Sequence, residues 1–332
     1  MKIVLDAMGG DNAPEEIVLG AVRAARWARA ELCLVGDKPR LEAVLGRAET
    51  RQKFEIVHTD EFIGMDEPAG PALRHRRKAS VVVAANLVKE GKAQAMVSAG
   101  NTAALQQVAL LEVGRLPGIK RPALTAVFPT RPQPSLCLDM GANADCKPEY
   151  LLQFAIMGSI YAQKVFGRAR PRVGLLNIGQ EEGKGNALVT AAYELLSAQP
   201  QLNFVGNVEP MGFFAGDVDV GVCDGFVGNM MLKTSEAVAE WLMARVRQAA
   251  RSTAVSKIGG LLLKPALRQL RKDVSHSEHG GAVLLGLKGV VVKCHGRATR
   301  DTIENGIKVA EKAVAGQVVD RIAASLAEES KV

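Results

Sequence analysis

Short apolar runs and amphipathic stretches alternate along almost the whole chain. The strand-length runs are "KIVLD", "ELCLVG", "FEIVH", "AMVSAG", "ALTAVF", "SLCLDM", "RVGLLN", "NFVGN", "VDVGVC" and "GVVVKCH". Helical spacing marks the segments between them, among them "PEEIVLGAVRAARWA", "VVVAANLVKEG", "KPEYLLQFAIMGSIYAQKVFG" and "NALVTAAYELLSAQ". Such alternation predicts an α/β protein, a mostly parallel sheet with helices on both faces. One stretch departs from it. In "ALTAVFPTRPQPSLCLD" two short strands flank a Pro-rich turn, which predicts a hairpin. No repeat, low-complexity tract or linker interrupts residues 1–332, which read as one domain.

The polar positions gather at strand ends. "DAMGGDNAP", "SAGNTAAL", "DMGANADCKP", "NIGQEEGKGNAL", "CDGFVGNMML" and "KCHGRATRD" each place glycine and small polar residues between a strand and a helix. In the first, Gly9 and Gly10 permit close backbone approach, and Pro14 suits a first helical turn. Ligands of open α/β sheets bind outside the carboxyl ends of the strands, where helix N-termini favour anions. Six such turns predict a shared polar crevice.

Composition narrows the function classes. With 332 residues, 48% of them hydrophobic, the chain has material for a large core. Aromatics at 4% argue against a base-stacking surface for nucleic acid. The net charge of +7 suits nucleic acid, an anionic membrane or an acidic partner alike and says nothing about fold. Cys33, Cys137, Cys146, Cys223 and Cys294 are dispersed, as reduced thiols are in a cytoplasmic protein. No signal peptide or membrane-spanning run is legible.

The usual fingerprints are missing. There is no G-x-G-x-x-G, and "GQEEGKGN" departs from a Walker loop in glycine spacing and in Asn186 near the Ser/Thr position. No G-x-S-x-G, H-E-x-x-H or Cys/His ligand cluster appears. Asp6, Asp11, Asp139, Asp145 and Asp224 are divalent-ion candidates or, equally, turn and helix caps. The expectation is no metal and no cofactor.

Taken together, "DAMGGDNAP", "SAGNT", "DMGAN", "EEGKGN", "DGFVGN" and "SEHGGAVLLGLKGVVVKCHG" resemble the acyl-carrier-protein:phosphate acyltransferases of bacterial phospholipid synthesis. The resemblance spans essentially the whole chain. Departures are Ala103 and Ala104 where a glycine is usual, His279 for an aromatic, and Arg297 where small hydroxyl residues are usual. The resemblance implies a three-layer α/β/α sandwich with a central cleft, similar to phosphate acetyltransferases and isopropylmalate-type dehydrogenases. It further implies a cytoplasmic homodimer that moves a long-chain acyl group from acyl-carrier protein to inorganic phosphate. The acyl phosphate then serves a membrane glycerol-3-phosphate acyltransferase. Two readings stand beside it: a phosphate acetyltransferase-like enzyme with an acyl-CoA donor, and a non-catalytic basic scaffold at membranes. A dehydrogenase reading wants a clear Asp cluster and a cofactor loop.

Phosphate is itself the nucleophile in such a reaction, so no covalent Ser or Cys is required. Ser98, Gly100, Asn101 and Thr102 of "SAGNT" form a candidate phosphate cradle. Lys184 is a candidate cation for phosphate or oxyanion, or else a solvated loop residue. Asn229 either donates to the carbonyl or caps a helix, and His295 either acts as an acid or is structural. His58, His75, His276 and His279 have no partner that the sequence identifies.

Residues 252–280 read as a basic amphipathic projection. Ile258, Leu261, Leu262, Leu263, Leu267 and Leu270 supply apolar surface, and Lys257, Lys264, Arg268, Arg271 and Lys272 supply charge. Gly259, Gly260 and Pro265 predict two short helices meeting at a bend. The segment is a candidate contact for an anionic membrane, for carrier protein or for a second subunit. Peripheral attachment to the inner face of the cell membrane follows from the first option.

Overall fold

The computed structural model describes residues 1–279 and 281–329. Its first part comprises β1 (Lys2–Asp6), α1 (Glu15–Ala24), β2 (Glu31–Gly36), α2 (Lys38–Arg47), β3 (Glu55–His58), α3 (Ala69–His75), α4 (Ser80–Lys89), β4 (Ala95–Ser98) and α5 (Thr102–Val108). The hairpin β5 (Ala123–Phe128) and β6 (Ser135–Leu138) leads into α6 (Pro148–Phe166), β7 (Arg172–Leu176), α7 (Ala187–Ser197), β8 (Asn203–Val208), α8 (Pro210–Ala215) and β9 (Val220–Val222). Two long helices follow, α9 (Gly225–Ala249) and α10 (Ala254–His279), then β10 (Ala282–Leu285), β11 (Val290–Lys293), α11 (Arg300–Ala315) and α12 (Val318–Glu329).

All ten quoted apolar runs form strands of one eleven-stranded sheet, in the order β3-β2-β1-β4-β11-β10-β5-β6-β9-β7-β8. β10 is the strand that the sequence pattern misses. "AVLLGLKGVVVK" looks like one continuous run, but it folds back on itself as an antiparallel pair, with Ala282 opposite Lys293. Side chains on each strand alternate between two apolar layers. Ile3 and Leu5 pack toward α1, α6 and α11, whereas Val4 packs toward α4 and α5. Three layers result, helices over both faces of the sheet.

Strand direction decides where the polar turns go. β10 runs against both β11 and β5, so β5 points the same way as β1–β4 and β11. β6 then reverses against β5, and β9, β7 and β8 follow β6 in parallel. The sheet is therefore two parallel halves of opposite sense. Lys293, the end of β11, lies opposite Ser98, the end of β4. It also lies opposite Ala282, and two residues on, Leu284 faces Leu124 of β5. In the other half Leu138, the end of β6, faces Thr125 of β5 and Val222 of β9. The carboxyl ends of both halves thus stop at nearly the same level on β5 and confront each other across it.

α10 corrects one expectation. Residues 254–279 form a single helix with Pro265 inside it, not two short ones. Thr253 starts it by accepting a hydrogen bond from the Ser256 amide (3.0 Å). Gly260 serves close approach rather than a bend: a Cβ there would sit 2.8 Å from the Ala250 Cβ.

Candidate active site

A cavity of about 500 Å³ occupies the junction of the two halves. Thr102, Asn229, Lys293 and His295 line it, as do Lys233 and Glu236 of α9. Three of these, Thr102, Asn229 and His295, are sequence candidates. Thr102 is exposed at the start of α5. Asn229 does not cap α9, because Asp224 does so by accepting from the Val227 amide (2.9 Å). It sits one turn further on and faces the cavity. His295 follows β11, and its Nδ1 accepts from the Arg297 amide (3.1 Å). A neutral ring held this way carries its proton on Nε2. The Arg297 backbone thereby orients the histidine, while its side chain is exposed.

The other "SAGNT" residues lie behind this surface. The Ser98 hydroxyl donates to Asp6 Oδ2 (2.7 Å) and accepts from the Gly100 amide (3.0 Å). Ser80 donates to the other Asp6 oxygen (2.6 Å). Burial pushes the Asp6 carboxyl above the usual range, against the pull of these hydroxyls. Gly100 backs directly onto Gly9, where a Cβ would lie 2.9 Å from the Gly100 backbone. This contact explains Gly9, whereas Gly10 is required by its positive φ of 113°. Asn101 caps α5 through the Ala104 amide (3.1 Å) and donates to the carbonyls of Met65 (2.9 Å) and Glu67 (3.0 Å). Ser98, Gly100 and Asn101 therefore knit the turns after β1 and β4 to the 64–67 loop.

Lys184 lies elsewhere, exposed in the loop after β7. Its carbonyl accepts from Asn177 (2.9 Å), and Asn207 donates to the neighbouring Glu181 carbonyl (2.8 Å). These bonds shape the loop without using the ammonium group, which is not among the cavity lining. β4 and β7 are six strand spacings apart, about 29 Å at about 4.8 Å each. Four of the six polar turns line the cavity, through Thr102, Gly141, Asn229 and His295, and those after β1 and β7 do not.

Three of the five carboxylate candidates have internal partners, whereas Asp11 and Asp145 are exposed. Asp139 accepts from the amides of Leu124 (2.8 Å) and Asn143 (2.7 Å), and burial raises its pKa. Asp224 caps α9 and Asp6 is held by serines. Among the described residues no group of three His, Cys, Asp or Glu is arranged to hold a metal.

Lys293 is the residue that sequence reasoning missed. It closes an apolar strand two positions before His295, so both project from the same side of the extended chain. Burial, aided by nearby Lys233, lowers its pKa, and Cys294 and Glu236 oppose that shift. The available signal was a lone cation at a strand's carboxyl end, in a turn already singled out for its histidine. Three of the cysteines are poor nucleophiles: burial lifts the thiols of Cys294 and Cys146 to about 12 and that of Cys33 to about 11.

The candidate projection is apolar on its outer side. Leu261, Leu262 and Leu263 are 68%, 77% and 58% exposed, and Trp241 of α9 is 63% exposed. Lys257 and Lys264 are exposed beside them. The side chains of Arg268, Arg271 and Lys272 lie outside the described residues. No helix among the described residues is long and apolar enough to cross a membrane.

Residues 1–321 match the family model described as "Fatty acid synthesis protein". The chain is 50% identical to a phosphate acyltransferase from Moorella thermoacetica, over 95% of this chain and 92% of that one. Its fold is similar to a phosphotransacetylase from Streptococcus pyogenes (TM-score 0.65, 17% identity, 96% and 94% of the two chains). It is also similar to a 4-hydroxythreonine-4-phosphate dehydrogenase from Klebsiella pneumoniae (TM-score 0.54, 14% identity, 97% and 99%). The architecture is thus shared with enzymes of both kinds.

Proposed function

Because the chain belongs to the fatty acid synthesis protein family and is an acyltransferase, we propose that it transfers a long-chain acyl group from acyl-carrier protein to inorganic phosphate. The observation that carries this reading is the junction cavity itself. It joins Lys293, His295, Asn229 and Thr102 at one end to apolar side chains at the other. Lys293 and Thr102 hold the phosphate, and a phosphate oxygen attacks the thioester carbonyl carbon. Asn229 donates to the oxyanion of the tetrahedral intermediate. As the C–S bond breaks, the proton of the attacking hydrogen phosphate passes to the departing thiolate, while Nε2–H of His295 donates a hydrogen bond to the developing sulfur anion. Products are acyl phosphate and the free carrier thiol, with atoms and charge balanced. Buried, protonated cysteines fit direct attack by phosphate.

Lys184, on the facing rim, serves to hold the anionic donor. The exposed leucines of α10 rest on an anionic membrane at the cytoplasmic face, beside the apolar surface of α9, where a second subunit also packs, and Lys257 and Lys264 next to them attract the acidic carrier protein. The chain acts as a homodimer and delivers its amphiphilic product to a membrane glycerol-3-phosphate acyltransferase. The deciding experiment incubates the protein with phosphate and either palmitoyl-carrier protein or palmitoyl-CoA and measures thiol release. Release from the carrier donor supports the reading. Release from CoA alone makes the enzyme phosphate acetyltransferase-like, and release from neither leaves a scaffold.

A further inference from the structure

The cavity does not stop at its polar mouth. β10 begins at Ala282, level with the middle of β5, so among the described residues Val127 of β5 has no strand beside it in the direction of β11. An opening in the sheet results. Leu124 and Ala126 face the layer of α4 and α5, whereas Val127 faces the layer of α6 and α11, yet all three line the same cavity. It therefore passes through the sheet from one face to the other. Beyond the opening its walls are Tyr161, Val165 and Phe166 of α6 and Val309 and the exposed Lys312 of α11. Tyr161 is 2% exposed and stands edge-on to Phe166, with ring centroids 5.6 Å apart. Its hydroxyl has no hydrogen-bond partner among the described residues, and burial alone raises the phenol's pKa.

We propose that the donor's acyl chain threads this opening and lies between α6 and α11, with Tyr161 setting the longest chain accepted. The inference rests on the acyl-transfer reading above and adds the chain's path and its end point. The polar mouth is continuous with an apolar slot, as an acyl thioester needs and an acetyl donor does not. A buried phenol lacking a protein partner is satisfied by water at the slot's end. A chain long enough to expel that water leaves the hydroxyl unpaired, and affinity falls.

Two variants test the path. Val309→Phe narrows the slot beyond the opening, and the ratio of palmitoyl to butyryl turnover with phosphate is expected to fall by about tenfold or more. Tyr161→Phe keeps the ring and removes the hydroxyl, and the preferred chain is expected to lengthen, with stearoyl gaining on palmitoyl. Unchanged ratios in both variants overturn the proposal, and if Val309→Phe fails to fold, Tyr161→Phe decides alone. A wild type that transfers no acyl group overturns the function instead. The slot is then judged by equilibrium dialysis of palmitate, which wild type should retain and Tyr161→Phe should retain more tightly; no binding by wild type overturns the slot as well.

Discussion

Lys293 and Lys184 show how differently one residue type behaves at two strand ends. Lys293 is half-buried, and its pKa lies below the ordinary lysine value chiefly because burial penalises its charge. The folded protein therefore releases this proton more readily than the unfolded chain does. The cost to stability is full below the folded pKa and fades as pH rises through it. Lys293→Met is expected to lower turnover by roughly 10²–10³ while the melting temperature holds or rises. Any gain in stability should be largest at neutral pH and shrink toward alkaline pH. Steady-state kinetics and thermal melts across pH check both statements. Lys184 contributes its backbone to the loop and leaves its ammonium in solvent. Lys184→Ala should keep the melting temperature and raise KM for the carrier donor roughly tenfold with a smaller change in kcat. A fall confined to kcat would assign the ammonium to the reacting atoms instead.

At the scale of elements, α10 carries the clearest departure from local propensity. Proline inside a helix costs about 3 kcal/mol relative to alanine and glycine about 1 kcal/mol. The helix nevertheless runs unbroken from Ala254 to His279, started by Thr253 and seated on α9 at Ala250. Exposed leucines along such a helix are a cost in water unless another surface covers them. The double variant Leu262→Glu, Leu263→Glu is expected to bind anionic liposomes at least about tenfold more weakly. Acyl transfer from soluble donors should largely survive, because neither leucine lines the junction cavity. Co-sedimentation with liposomes and sizing by light scattering separate loss of membrane binding from loss of the dimer.

For the whole molecule, the net charge of +7 sets the long-range field. Association with an acidic carrier protein should be fast at low ionic strength and slow steeply as salt shortens the screening length to about 8 Å at physiological strength. Reversing Lys257 and Lys264 to Glu is expected to lower kcat/KM for the carrier donor and to flatten its salt dependence, leaving kcat near its original value. Stopped-flow association at several salt concentrations checks this, and an unchanged slope places the docking surface elsewhere. The two opposed halves of the sheet both supply the cavity: the ends of β4 and β11 bring Thr102 and His295, and the helix after β9 brings Asn229.

The sequence by itself determined the elements and the chemistry at their ends. Period-two and period-3.6 patterns are local, so ten strands, the β5–β6 hairpin and the six polar turns were legible one segment at a time. Thr102, Asn229 and His295 were legible for the same reason, as polar residues punctuating apolar runs. Strand direction and register are non-local, and only the tertiary structure decided them. They brought the ends of β4 and β6 to nearly the same level on either side of β10 and β5, turned Ser98 and Asn101 inward to Asp6 and the 64–67 loop, and set Lys184 apart from the cavity. Burial is likewise a property of the assembled layers. For that reason Lys293 looks like any other lysine in the sequence and acquires its shifted pKa only where β11 meets α9.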